Sequence, residues 1–162
     1  MGLAQELLQV AVNLATYEGA HPTQAALRRA VSTAYYALFH LLIEDAAQRW
    51  QGSPEAFTGL ERSFQHGFMK NVSFQFGSKY WTDWHDINQA VPLAIQNVAK
   101  TFVTLQAARH TADYNNHRQW TSVEVETLLN AAQLALDNWF SIRTDPMAGN
   151  YLLAMLLGKQ RS

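Results

Sequence analysis

The chain has 162 residues, 48% hydrophobic and 15% charged, with a net charge of -1 and no cysteine. Length and apolar content suit one domain with a substantial core. The near-neutral charge excludes a bulk electrostatic drive toward nucleic acid or membrane, so any anion site must be local. Without cysteine, disulfides, thiolate catalysis and cysteine zinc sites are excluded.

So few charges point to surface buried against a partner, most simply a second copy of the chain. The start, Met1-Gly2-Leu3-Ala4-Gln5-Glu6, lacks the basic segment of a signal peptide. Glu6 stands where a myristoylation signal requires Ser or Thr. No apolar run is long enough to span a bilayer. A cytoplasmic location is the default expectation.

Helical spacing governs the first segment. Leu7, Val10 (or Ala11) and Leu14 predict a helix from about Leu3 to Tyr17, stopped by Gly19. Pro22 and Thr23 open a second helix that extends to Trp50. Its rows Leu27, Val31, Ala34, Leu38, Leu41, Asp45 and Phe39, Ile43, Ala46, Trp50 give a wide apolar surface, as a central helix needs. Gly52-Ser53-Pro54 ends it.

From Glu55 to Asp86 the pattern is irregular, interrupted by Gly59, Gly67 and Gly77 and crowded with aromatic residues from Phe57 to Trp84. A short helix or two plus a loop folded onto the core is expected, with a base-stacking platform as the functional alternative. A third long helix is predicted from Asn88, with Pro92 in its first turn and Val91, Ala94 (and Ile95), Val98, Phe102 and Leu105 inward. Asn115-Asn116 is its stop. A fourth begins at the capping box Thr121–Glu124 and buries Val125, Leu128, Ala132, Leu136 and Trp139. Asp145-Pro146 ends the region beyond it, and a short apolar helix from Tyr151 to Leu157 closes the chain. No strand-like alternation of useful length appears. The expected fold is all-α: an antiparallel four-helix bundle with an extra short C-terminal helix.

Two features break the apolar pattern. On the second helix Arg29, Thr33, Tyr36, His40 and Glu44 form a polar line, either a hydrogen-bond ladder with Glu44 against His40 or the wall of a polar groove. On the third helix the inward row Val98, Phe102, Leu105 continues to Arg109. An arginine there needs a partner or a ligand. Asp113, one turn on, is the obvious partner; a phosphate is the obvious ligand. His110, Asp113 and His117 share one side for as long as the helix persists.

The run from Leu27 to His40, containing Arg28-Arg29-Ala30 and Tyr35-Tyr36-Ala37-Leu38-Phe39-His40, resembles the signature helix of HEPN-domain proteins (higher eukaryotes and prokaryotes nucleotide-binding). His66-Gly67 resembles the loop histidine of the small prokaryotic branch. Arg109-His110-Thr111-Ala112-Asp113-Tyr114 resembles its Arg-x-x-Ala-Asp-Tyr motif. The resemblance implies a HEPN-like four- or five-helix bundle, usually a homodimer. It implies metal-independent endoribonuclease chemistry in many members, and in several a toxin paired with a nucleotidyltransferase-type antitoxin or a part in defence against phage. Arg109, His110 and His117 are then the candidate catalytic residues. Arginine would stabilise phosphorane-like charge, and histidine would move protons for attack by the 2′-hydroxyl. Arg29, Tyr36, His40, Asp113 and Tyr114 are the candidate ligand-binding residues. The motif departs from the family at one point. Tyr114, Asn115 and Asn116 fill the places of the distal histidine, and His117 follows one residue late, roughly 100° around a helix.

Three functions therefore stand together: an RNA- or nucleotide-binding protein with ribonuclease activity as an extension, a non-catalytic interaction module or partner subunit of a toxin–antitoxin pair, and a His/Asp metal site built from His110, Asp113 and His117 with His40. The first implies no cofactor.

Overall fold

Helix-forming periodicity accounts for most of the chain. The computed structural model describes residues 2–16, 21–50 and 53–157. Among them are helices α1 (Leu3–Ala15), α2 (Gln24–Trp50), α3 (Pro54–Arg62), α4 (His66–Phe76), α5 (Leu93–Tyr114), α6 (Ser122–Ile142) and α7 (Pro146–Leu157). Between α4 and α5 lie two short strands, β1 (Tyr80–Thr82) and β2 (Asn88–Ala90). The protein is mostly helical, as its all-α class requires. The expected stops at Tyr17, Gly19 and Gly52 lie outside the described residues.

The chain divides into two compact units, Met1–Leu41 with Thr104–Leu136, and Leu42–Val103 with Asp137–Ser162. Helices α2, α5 and α6 contribute residues to both.

In the first unit, α1 buries Ala4, Leu8, Ala11 and Ala15. Leu7 and Leu14, expected inward, are half-buried, and Val10 is 49% exposed. The two rows lie one residue apart. The helix centres its small-residue row on the core, and the leucines cover the flanks. Thr23 caps α2 by accepting the Ala26 N–H at 3.1 Å, which leaves Pro22 just ahead of the helix. From this end of α2, Val31, Ala34, Tyr35 and Leu38 are fully buried. On α6 it is Leu129 that is buried, and Leu128 stands half-exposed on the flank. The Thr121–Glu124 box forms: Thr121 Oγ1 accepts the Glu124 N–H at 3.2 Å, and Glu124 Oε2 accepts the Thr121 N–H at 2.9 Å.

In the second unit, Ser53 caps α3 by accepting the Ala56 N–H at 3.1 Å, with Pro54 as the first helical residue. Helix α4 packs on α7. The Ser73 and Tyr151 hydroxyls are 2.6 Å apart, and the Phe76 ring lies 5.0 Å from Tyr151 and 4.7 Å from Trp81. Burial pushes the Tyr151 phenol well above its ordinary range, against a smaller opposing effect of the Ser73 hydrogen bond.

Four expectations change in this unit. The region from Glu55 to Asp86 contains the two helices expected there together with the first strand of a hairpin, and His66-Gly67 opens α4 instead of lying in a loop. The strands pair antiparallel, Tyr80 with Ala90 and Thr82 with Asn88; three residues are too few for a legible alternation. Asn88 belongs to β2, so α5 begins only after Pro92, whose carbonyl accepts the Gln96 N–H at 3.0 Å. Asp145-Pro146 starts a helix: Asp145 Oδ1 accepts the Met147 N–H at 2.8 Å, and proline fits the first helical position.

The hairpin loop is organised by Asp83. Its Oδ1 accepts the N–H groups of His85 (2.8 Å) and Ile87 (3.0 Å), and its Oδ2 accepts the Gln89 amide at 2.8 Å. The Gln89 bond and then the Ile87 N–H hold this carboxyl below its ordinary range. Asp86 closes the loop with a φ of 61°, a region open to aspartate at small cost. Of the aromatic residues between Phe57 and Trp84, Phe64, Phe76 and Trp81 are buried, whereas Phe74, Tyr80 and Trp84 are 74%, 61% and 40% exposed. The segment is thus only partly folded onto a core. Among the described residues no helix is long and apolar enough to cross a membrane.

Candidate functional site

The last two turns of α5 carry an arginine where the row Val98, Phe102 and Leu105 is fully buried. The Arg109 side chain keeps only 13% of its surface exposed. Its guanidinium carbon stands 5.2 Å from the Tyr35 ring centre and 6.0 Å from that of Tyr36, within cation–π range. One Nη1–H reaches Asp113 Oδ2 at 3.4 Å, a long ion pair whose acid is partly solvated. Nε is buried without a hydrogen-bond partner. Arg109 is therefore both an ion-paired residue and a cation with unused donors. A guanidinium so placed suits a planar or tetrahedral oxyanion, since it offers several N–H groups in one plane.

Tyr36 extends the site along α2. Its ring lies 6.0 Å from that of His40, and both residues are half-buried. On the adjoining face of α5, the exposed His110 ring lies 4.9 Å from that of Tyr114, tilted by 50°, and Tyr114 is 68% exposed. The structure thus brings Arg109, Asp113, Tyr36 and His40 into one line of contacts and pairs His110 with Tyr114. Arg29 is exposed and enters neither group through a described contact. His117 lies beyond α5, which ends at Tyr114. Asn115 Oδ1 accepts the N–H groups of His117 (3.1 Å) and Arg118 (3.2 Å) and forms a turn. No described hydrogen bond, ion pair or ring contact joins His117 to Arg109 or His110. Among the described residues no three His, Asp or Glu side chains gather as a metal site would require.

Two residues that spacing did not single out hold this site. Tyr35, fully buried, is the nearer ring under Arg109. Arg28 donates from Nη1 to the carbonyls of Ala112 (3.0 Å) and Asn115 (2.8 Å) and from Nη2 to that of Arg118 (2.5 Å). Ala112 belongs to the last turn of α5, where carbonyls lack helical partners, and Asn115 and Arg118 belong to the segment just beyond it. Gln24 fixes the next segment, accepting the Trp120 N–H at 2.7 Å and donating to the Trp120 carbonyl at 2.8 Å. The sequence signal for the clamp is the Arg28-Arg29-Ala30 run beside the apolar row of α2.

Arg118 lies 4.0 Å over the Trp120 ring and pairs with Glu124 through Nη2–Oε1 at 3.0 Å and Nη1–Oε2 at 3.2 Å. That pair, and then the Thr121 N–H, hold the Glu124 carboxyl down to about 2. A depressed carboxylate adds stability that is complete above its ordinary value of 4.5 and is lost as pH falls through about 2. Glu124→Gln is therefore expected to destabilise the protein at neutral pH. The gap between the two urea midpoints should close as pH is lowered from 4.5 toward 2. A constant gap over that range would dissociate the pair from stability.

Comparison with family models, with curated proteins and with solved structures finds no match to this chain.

Proposed function

We propose that this chain is a HEPN-like protein that binds RNA or a nucleotide at the end of α5, with Arg109 as the phosphate-binding residue. One observation carries the reading: a largely buried guanidinium over two tyrosine rings, held by a single long ion pair, with an unpartnered Nε. The contact also supports the resemblance, because it joins the Tyr35-Tyr36 pair of the first motif to the arginine of the third. In this reading α1, α2, α5 and α6 are the main helices of an antiparallel four-helix bundle. The protein works in the cytoplasm as a homodimer whose two Arg109 sites meet. Asp113 holds Arg109 until a phosphate competes for it, and Tyr36, His40 and Tyr114 contact base or ribose. Metal-independent RNA cleavage is the extension, with His110 or His117 as the proton carrier. A nucleotidyltransferase-type antitoxin is the partner that the toxin form implies.

The test is binding of single-stranded RNA and of mononucleotides, at low salt and with chelator present. Saturable binding is expected, and Arg109→Ala should weaken it by about 10- to 100-fold, the loss of one or two charge-assisted hydrogen bonds. No binding at low salt, or unchanged affinity in the variant, would sink the proposal. Cleavage in chelator that disappears with Arg109→Ala would establish the extension. The exposed Phe74, Tyr80 and Trp84 favour a second reading, a protein-interaction module. It expects a stable complex with another protein, abolished by Phe74→Ser with Tyr80→Ser, and no effect on RNA.

A further inference from the structure

The end of α2 and the segment after α6 line a second polar site, which shares no residue with the Arg109 row. An open concavity of about 450 Å³ is lined by Asp45, Gln48, Arg49, Arg143 and Thr144. Its volume is that of a small-molecule site.

The donor and acceptor balance of this lining is lopsided. Asp45 is its acid, and both carboxylate oxygens are already engaged. Oδ2 accepts Trp139 Nε1–H at 2.6 Å and Arg143 Nε–H at 3.0 Å, and Oδ1 accepts Arg143 Nη2–H. Arg143 is thereby oriented, with its guanidinium carbon 5.3 Å from the Phe140 ring centre, and its Nη1 has no described hydrogen bond. Arg49 has no acidic partner among the described residues; it donates from Nη2 to the Arg143 carbonyl at 2.6 Å. That bond and the close approach of Gly149, where an added Cβ would stand 3.1 Å from Nη1, set the guanidinium against the start of α7. Thr144, exposed, has a hydroxyl with no described partner. Gln48 adds an amide whose described hydrogen bond is a long one, 3.4 Å to Glu44. Two guanidinium groups, a hydroxyl and an amide line one depression whose single acid is consumed internally. Such a lining favours an anion with several acceptor oxygens.

We infer that this concavity binds a phosphate monoester, with Arg49 as the principal ligand-binding residue and Thr144 and the free edge of Arg143 as further donors. Asp45 is a positioning residue that orients Arg143. A monoester is preferred to a carboxylate because it offers three terminal oxygens to donors on two guanidinium groups, Arg49 carrying the charge that Asp45 does not offset. The space beyond those oxygens accommodates the sugar of a free phosphorylated metabolite or of a 5′-phosphorylated RNA end.

The experiment is a titration of the whole protein, isotopically labelled, with ribose 5-phosphate, and separately with a short RNA bearing either a 5′-phosphate or a 5′-hydroxyl. Amide and side-chain NMR shifts are followed. Saturable shifts at Gln48, Arg49, Arg143 and Thr144 are expected with ribose 5-phosphate. Arg49→Gln should weaken binding by about 10-fold or more, and Thr144→Val by a smaller factor. Neither variant removes a buried apolar group, so both should keep the dispersed spectrum of the folded chain. A further gain with the 5′-phosphorylated RNA over its hydroxyl form would assign the ligand to an RNA end; equal or weaker binding than ribose 5-phosphate would assign it to a free metabolite. Arg109→Ala should leave these shifts intact, which separates the outcome from that of the α5 site. Absence of saturable shifts at millimolar ribose 5-phosphate, or shifts undiminished in Arg49→Gln, would overturn the inference.

Discussion

Replacing Asp45 by alanine is expected to lower the unfolding free energy by about 3 kcal/mol, well beyond an ordinary surface change. The Asp45 side chain is 7% exposed and receives three donors, the Trp139 indole N–H and two from Arg143. Trp139 is fully buried, so its N–H would lose its described partner. That alone costs about 1–3 kcal/mol. Arg143 behaves differently: its side chain is 39% exposed, and its guanidinium can turn to solvent. The loss on that side is then the modest net value of a partly solvated pair. Asp45→Asn should cost less than alanine, because one carbonyl oxygen survives to face the indole. Urea midpoints of Asp45→Ala, Trp139→Phe and the double variant measure the coupling directly. A double variant no worse than the worse single one would place the energy in the Asp45–Trp139 bond. Strict additivity would remove it from there.

Why spacing found Arg109 but undervalued Asp45 follows from the geometry of their partners. Both are polar residues at the end of an apolar row, a signal legible in one helix alone. Arg109 has its acid one turn away at Asp113, within reach of a helical spacing rule. Asp45 finds Trp139 and Arg143 on or just beyond α6, 94 and 98 residues later, and no local pattern spans that distance. Arg28 was harder still. Its partners are backbone carbonyls, which any residue supplies, so the clamp leaves no mark at positions 112, 115 and 118. The β-hairpin was hidden for another reason. Its strands have three residues each, and its stability rests on one carboxylate gathering the loop, not on alternation. Composition did signal the aromatic crowding between Phe57 and Trp84. It could not assign Phe76 inward and Phe74 outward, because two residues on a helix turn through about 200° and only the packed neighbour decides.

Arg28→Met should lower stability by about 2–3 kcal/mol, the net value of three hydrogen bonds from a charged donor, partly exposed. Methionine keeps the aliphatic stem against α5, so the change removes the guanidinium and little else. The loss should be local before it is global. Amide exchange should quicken at Asn115, His117 and Arg118, whose turn would then rest on Asn115 Oδ1 and on the backbone bonds Asn115 N–H to Thr111 and Arg118 N–H to Asn115. Mid-helix amides of α5 should keep their protection. Lysine is expected to rescue poorly, because one ammonium cannot span the carbonyls of Ala112, Asn115 and Arg118 as a fork does. The same variant bears on function without touching the ligand. Asp113 lies between the clamped carbonyls of Ala112 and Asn115, and it is the acid that Arg109 faces. Fraying that turn frees Asp113 and loosens Arg109 over Tyr35 and Tyr36. RNA affinity should therefore fall in Arg28→Met even though Arg109 is intact. Arg28→Met combined with Arg109→Ala should bind no worse than Arg109→Ala alone. A further drop in the double variant would make Arg28 a direct contact to the ligand instead of the residue that holds the end of α5 in place.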